Sequence, residues 1–198
     1  MAFYNKVKWV LGILMVFVLI VATNLIDRNN FLRVKDSVVT IYEDRLVVND
    51  LIFEMSIATQ EKELAAIKAD TVFFLSENNK INEDLQNFIL KYEQTKLTAK
   101  EVKVFNEFKQ NFEKVKVAER DFIASKFDNV KGLENELLKV KKNLYQLSKI
   151  QLIEGGRQMS ISKKAIDTVE LFTQLEIYIL IFLAIVIQII VIYQPKKE

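Results

Sequence analysis

The sequence contains no cysteine and no histidine. These absences exclude disulfide stapling, thiolate nucleophiles, imidazole general bases and the usual zinc ligands. Neither a cofactor nor a metal site is expected. Proline occurs once, at Pro195, and glycine four times. Both residues punctuate turns and interrupt helices, so their scarcity leaves room for few turns and favours long helices. An excess of one charge is missing too, since the formal net charge is +2. Lys6, Lys8, Lys196 and Lys197 lie in the terminal tails, and the middle of the chain is near neutral with mixed signs. No basic stripe points to nucleic acid, and no acidic block points to a disordered tail.

What is present begins with two apolar runs. Residues 9–26 read WVLGILMVFVLIVATNLI, without a charge and with Trp9 where an aromatic interface anchor belongs. At 1.5 Å per residue the run is about 27 Å long, close to the thickness of a hydrocarbon core. A cleaved signal peptide is the competing reading, because Lys6 and Lys8 form a basic n-region. It is disfavoured by the length of the run and by Val21-Ala22-Thr23, a poor small-x-small cleavage site. Residues 177–193 read IYILIFLAIVIQIIVIY, apolar all round, and are followed by Pro195-Lys196-Lys197. Lipid suits such a surface better than a soluble core does. The positive tails then put both termini, 1–8 and 194–198, in the cytoplasm and residues 27–175 outside it. With an Ile/Lys/Asn/Phe-rich composition, the expected location is a bacterial inner membrane with the central domain in the periplasm.

The central segment reads as helix throughout. Val34, Val38, Ile41, Val48, Ile52 and Met55 follow a heptad seam with one gap, filled by Arg45. Thr98-Ala99-Lys100-Glu101 has the form of a capping box. Behind it run Val102, Phe105, Phe108, Phe112, Val115 and Phe122. A turn at Asp128-Asn129 and Gly132 precedes the cleanest seam, Leu133, Leu137, Val140, Leu144 and Leu147. Helices are expected at 27–69, 71–95, 99–126 and 130–175. Asn78-Asn79 competes with Asp70 for the first turn. Asp70 is preferred, because it makes helix one exceed helix two by about 18 residues, the same excess as helix four over helix three. The expected fold is all-α: an antiparallel up-down-up-down four-helix bundle whose first and fourth helices extend into two transmembrane helices.

Few residues suggest chemistry. No GxxxxGK[ST] or GxGxxG phosphate loop occurs, and paired carboxylates such as Glu43-Asp44 and Glu134/Glu136 read as a solvated helix face. Gly155-Gly156 suggests a kink or a close helix contact. Arg45 stands out as a charge at an apolar seam position. Counted up from the membrane, it shares its height with Glu154 and Arg157 of helix four. A pair between Arg45 and Glu154 is expected, with Arg157 nearby, either as a structural ion pair or as a site for a carboxylate ligand. Gln151 continues the helix-four seam, where a polar group needs a buried partner and specifies register. Gln188, inside the second apolar run, is expected at an intramembrane helix contact.

The order of these features resembles a known family. Ile41-Tyr42-Glu43-Asp44-Arg45-Leu46-Val47-Val48, Leu97-Thr98 through Phe105-Asn106-Glu107-Phe108, and Leu147-Ser148-Lys149-Ile150-Gln151 resemble the four-helix-bundle sensor domain of methyl-accepting chemotaxis receptors. The resemblance covers about residues 27–175 and the flanking spans. It implies a non-catalytic periplasmic sensor, a small-molecule ligand or partner, and a homodimer or a membrane partner protein in the lipid bilayer. In the family a HAMP linker and a signalling coiled coil or kinase follow the second span. This chain ends at Glu198, so the expectation is a sensory half that acts through another protein. A structural or accessory subunit without sensing is the alternative.

Overall fold

A computed structural model describes residues 2–192. Tyr193 and the basic tail at Lys196 and Lys197 lie outside them. All elements among the described residues are helical: α1 (Ala2–Ile41), a π-helical turn (Tyr42–Leu46), α2 (Val47–Ile67), a second π-helical turn (Phe73–Glu77), α3 (Asn78–Glu93), α4 (Ala99–Ala124) and α5 (Val130–Ile192). The chain divides into two compact units, Val39–Gln158 and Met1–Val38 with Met159–Glu198.

The turns of the larger unit follow from local chemistry. The first falls at Lys68–Asp70. The amide of Asp70 donates to Ala65 O at 2.9 Å and that of Ala69 to Ala66 O at 3.1 Å, closing a Schellman motif. Ala69 takes the left-handed position, with φ 46°. Asp70 then accepts from the amide of Phe73 at 3.0 Å, starting the next helix. Asn78 and Asn79 therefore stay inside a helix. At Thr98 the capping box is complete: the Glu101 amide donates to Thr98 Oγ1 at 3.3 Å, and the Thr98 amide donates to Glu101 Oε2 at 2.6 Å. A second Schellman turn ends α4, with Phe127 N donating to Phe122 O at 2.9 Å.

The seams of the larger unit converge on one core. Val48, Ile52 and Met55 are buried against Phe105, Phe108, Phe112, Val115 and Phe122 and against Leu133, Leu137, Val140, Leu144 and Leu147. Tyr92, Phe105, Phe108 and Phe112 form a stacked column, with the Tyr92 and Phe105 ring centroids 4.4 Å apart. A second aromatic group joins Phe74, Phe122 and Phe127, with edge-on neighbours at 5.2 Å. Two seam assignments change. Val102 is 42% exposed, because Glu101 takes the buried position one residue earlier. Val38 is exposed and Ser37 buried. The reason is the π-turn: buried positions step by seven through Thr23, Asn30 and Ser37, by eight to Arg45, and by seven again to Ile52 and Thr59. One wide i→i+5 turn adds one residue to the repeat.

Two stretches, Leu14–Ile67 and Val130–Val186, are long and apolar enough to cross a membrane. In the smaller unit the positions described as buried are small or polar: Thr23, Asn30, Ser37, Ser162 and Ala165. Gln188 is exposed, two residues beyond the half-buried Val186 and so on the opposite side of the helix from it.

Candidate functional site

Each of the four helical passes of the larger unit contributes one residue to a buried polar cluster. Arg45 comes from the first π-turn, Tyr92 from α3, Glu101 from α4 and Gln151 from α5. Arg45 is 6% exposed and Glu101 0%, so the charges must satisfy one another. Arg45 Nη1 donates to Glu101 Oε1 at 3.2 Å and Oε2 at 3.3 Å, and to Gln151 Oε1 at 3.0 Å. Gln151 Nε2 donates to the Tyr92 hydroxyl at 3.3 Å and also to Glu101 Oε1. Glu101 serves twice, since the same carboxylate closes the capping box of α4. Burial pushes the Tyr92 phenol above the usual tyrosine range. The Glu101 charge adds to the rise, while the Gln151 hydrogen bond and Arg45 oppose it.

The expected pair between Arg45 and Glu154 is corrected by this geometry. Glu154 accepts instead from Arg157 Nε at 2.7 Å, one helical turn along the surface of α5. Glu101 wins Arg45 because it is fully buried in the core, whereas Arg157 is exposed and Glu154, only half-buried, takes its charge partner from Arg157. Gln151 does have the buried partners its seam position requires.

Arg45 also borders open space. A cleft of about 520 Å³ is lined by Arg45, Gln151, Ile41, Leu46, Leu152 and Lys149 with Gly155 and Gly156. All hydrogen bonds of Arg45 run through Nη1, and its buried Nε has no partner among the described residues. The Nε and Nη2 edge is the side-on fork of a guanidinium, the geometry that takes a carboxylate through two parallel hydrogen bonds. Gly155 and Gly156 make no close contact, because a Cβ added at either meets nothing within 4 Å. They keep one wall of the cleft bare.

A second buried cluster escaped the sequence reading. Lys62, 1% exposed, donates to Glu119 Oε1 at 2.7 Å and to Asn78 Oδ1. Asn78 and Asn82 donate to Glu119 Oε2 at 2.9 and 3.0 Å. Burial lowers the Lys62 pKa, and the Glu119 charge and hydrogen bond hold it up. The cluster adjoins the second π-turn, as Arg45 occupies the first. Its signal was available: Lys62 lies seven residues beyond Met55, and Glu119 fills the gap between Val115 and Phe122. A charge in a seam gap marked Arg45 in the same way.

Among the described residues no cluster of Asp, Glu, Cys or His is arranged to hold a metal ion. Against known proteins, residues 5–155 match a family described as a four helix bundle sensory module for signal transduction. No curated protein and no solved structure matches the chain. The chain belongs to the chemotaxis-receptor family of four-helix-bundle sensory modules.

Proposed function

We propose that the chain is a membrane-anchored, non-catalytic sensor in the bacterial inner membrane, spanning it at 9–26 and 177–193. Residues 27–175 form an antiparallel up-down-up-down bundle on the periplasmic side, with both termini in the cytoplasm. The antiparallel order is supported by paired contacts that run in opposite directions along the chain. Glu63 meets Lys141 at 2.6 Å, and Asn49 meets Ser148 at 3.2 Å. The sensor passes its state to a membrane partner protein or a second copy.

The ligand of this reading is a small carboxylate held in the Arg45 cleft. One observation carries it: a guanidinium more than nine-tenths buried that lines a cleft and whose buried Nε has no partner among the described residues. Lys149, exposed on the cleft wall, brings a second positive charge that offsets Glu101. Leu46, Leu152 and Ile41 supply apolar contact for the rest of the ligand. The competing reading, an accessory subunit that senses nothing, draws on the neutralisation of Arg45 by Glu101.

Thermal unfolding of the full chain in detergent, with a panel of small carboxylates, separates the two. A ligand at 100 times its Kd adds about 2.7 kcal/mol to stability. Gly155→Leu places a side chain on the cleft wall, at a position where a Cβ meets nothing within 4 Å, and should abolish the shift. If no carboxylate stabilises the wild-type chain, or if Gly155→Leu keeps the full shift, the ligand site is not there. Anchoring and sidedness are read separately, by labelling single cysteines placed at Gln94 and at Asn5 with an impermeant maleimide. Gln94 should react from the periplasmic side and Asn5 only after the membrane is breached.

A further inference from the structure

The Lys62–Glu119 cluster borders a cleft of its own, between the second π-turn with the start of α3 on one side and α4 on the other. Its volume of about 460 Å³ is within the span of roughly 300–1,000 Å³ usual for small-molecule sites. Arg45 and Lys62 are 17 residues apart, so this cleft lies about 25 Å along the bundle from the one at Arg45. The π-turn beside it, Phe73–Glu77, is a kind of turn that recurs at functional sites.

The hydrogen bonds of the cluster leave one acceptor over. Glu119 is 2% exposed, and its Oε2 accepts from the amides of Asn78 at 2.9 Å and Asn82 at 3.0 Å. The second bond fixes how the Asn82 carboxamide is turned, because only its nitrogen can donate to a carboxylate. The Asn82 Oδ1 is buried and has no partner among the described residues. A buried acceptor without a donor is costly. Asn82 lines the cleft, so a ligand bound there can bring the donor.

Charge and valence decide what group brings it. Lys62 neutralises Glu119, and Lys116 on the cleft wall pairs with Glu113 at 2.5 Å. Arg120, also on the wall, is exposed and forms no ion pair among the described residues. The surplus charge is therefore positive and repels an ammonium group. An ionised carboxylate would suit Arg120 but has no hydrogen to give Asn82. A hydroxyl both donates and accepts, so it answers Asn82 and Arg120 alike. These two stand on different helices, and the exposed amide of Asn79 adds a further donor and acceptor, so several hydroxyls on one molecule are needed. Leu75 and Ile123 give apolar wall for its C–H faces. We infer that this cleft binds a neutral small sugar, as a second site separate from the carboxylate site at Arg45.

Thermal unfolding of the full chain in detergent tests the inference, with D-glucose, D-galactose, D-mannose and D-ribose each set against its L-enantiomer. Sugars excluded from a protein surface stabilise it without binding, and mirror images do so equally. A shift larger for one enantiomer therefore reports a site, and at least one of the four sugars should give it. Asn79→Trp, which brings a large side chain to the cleft wall, should weaken the apparent affinity about tenfold or more, as should Arg120→Met, which removes a charged donor. Both positions are exposed, so without sugar the two variants should melt close to wild type. Gly155→Leu, which acts on the Arg45 cleft, should leave the sugar response whole, so the two sites stand or fall separately. If none of the four sugars shows an enantiomer-selective shift, the inference is overturned. A selective shift that survives Asn79→Trp and Arg120→Met also overturns it, because the sugar then binds elsewhere. Stabilisation by putrescine or succinate and by no sugar, lost in Asn79→Trp, overturns the choice of a hydroxyl ligand.

Discussion

Removing the Glu119 carboxylate should destabilise the bundle more than most single substitutions, and removing its partner as well should repair much of the loss. Glu119→Leu leaves the Lys62 ammonium without its anion and the Asn78 and Asn82 amides without their acceptor. Breaking a buried pair from one side costs about 3–5 kcal/mol. The lower figure applies, because Lys62 has another way out. Its pKa is already lowered by burial, and losing Glu119 removes what held it up, so it can shed its proton. A loss of about 3 kcal/mol at 2–4 °C per kcal/mol gives a fall of about 9 °C in melting temperature for a chain of this size. Lys62→Met with Glu119→Leu should return to within about 1 kcal/mol of wild type, since apolar replacement of a buried pair is often neutral or stabilising. The pH dependence has a definite sign. With the folded pKa of Lys62 below the unfolded value, the unfolded chain binds more protons between the two, so the Lys62 contribution to stability rises with pH across that window. Circular dichroism melts of the full chain in detergent, between neutral pH and pH 10, measure all three quantities. A Glu119→Leu loss below about 1 kcal/mol, or a double variant as weak as the sum of the singles, would show that the pair is not coupled as described.

Three further outcomes are expected. Thr98→Ala should cost about 1 kcal/mol for the lost cap, read as a lower midpoint in urea. The Tyr92 phenol is raised by burial and by Glu101, so its contribution is complete below the unfolded pKa near 10 and declines as pH rises beyond it. Tyr92→Phe should flatten that alkaline decline. Ala69→Gly should raise the melting temperature by a degree or two, because relief of the left-handed backbone, about 1–2 kcal/mol, exceeds the extra freedom glycine gives the unfolded chain.

The helices were legible in the sequence because apolar spacing and turn chemistry are local. Thr98 and Glu101 cap each other three residues apart, and Leu133 to Leu147 bury themselves on period alone. Arg45 was legible as a buried charge for the same reason, since it interrupts a seam. Its partner was not. Glu101 had been accounted for by its cap, and nothing local says that the same carboxylate also faces inward. Height above the membrane pointed to Glu154, a residue at a plausible level but outside the core and paired with Arg157. The π-turns were invisible as well. A single surplus residue leaves no mark on composition, and its effect appears only where the buried phase slips from Val38 to Ser37.

The two buried clusters share a feature beyond their chemistry. Arg45 with Glu101 and Lys62 with Glu119 join the same two passes, 39–67 and α4, at points 17 and 18 residues apart. Two rivets about 25 Å apart fix both the spacing and the register of those helices. Helix α5 is fastened differently. Apart from Gln151, its polar links to the 39–67 pass are the exposed or half-buried contacts of Lys141 with Glu63 and Ser148 with Asn49. A shift of α5 by one residue, about 1.5 Å, would exchange those links for water and leave both rivets closed. Amide exchange should therefore be slowest along 39–67 and α4 and faster in α5. The bundle is built as a rigid frame with a keyed rod beside it; Gln151 is one key, and Asn143, which accepts from Asn111 of α4 at 2.8 Å, is another.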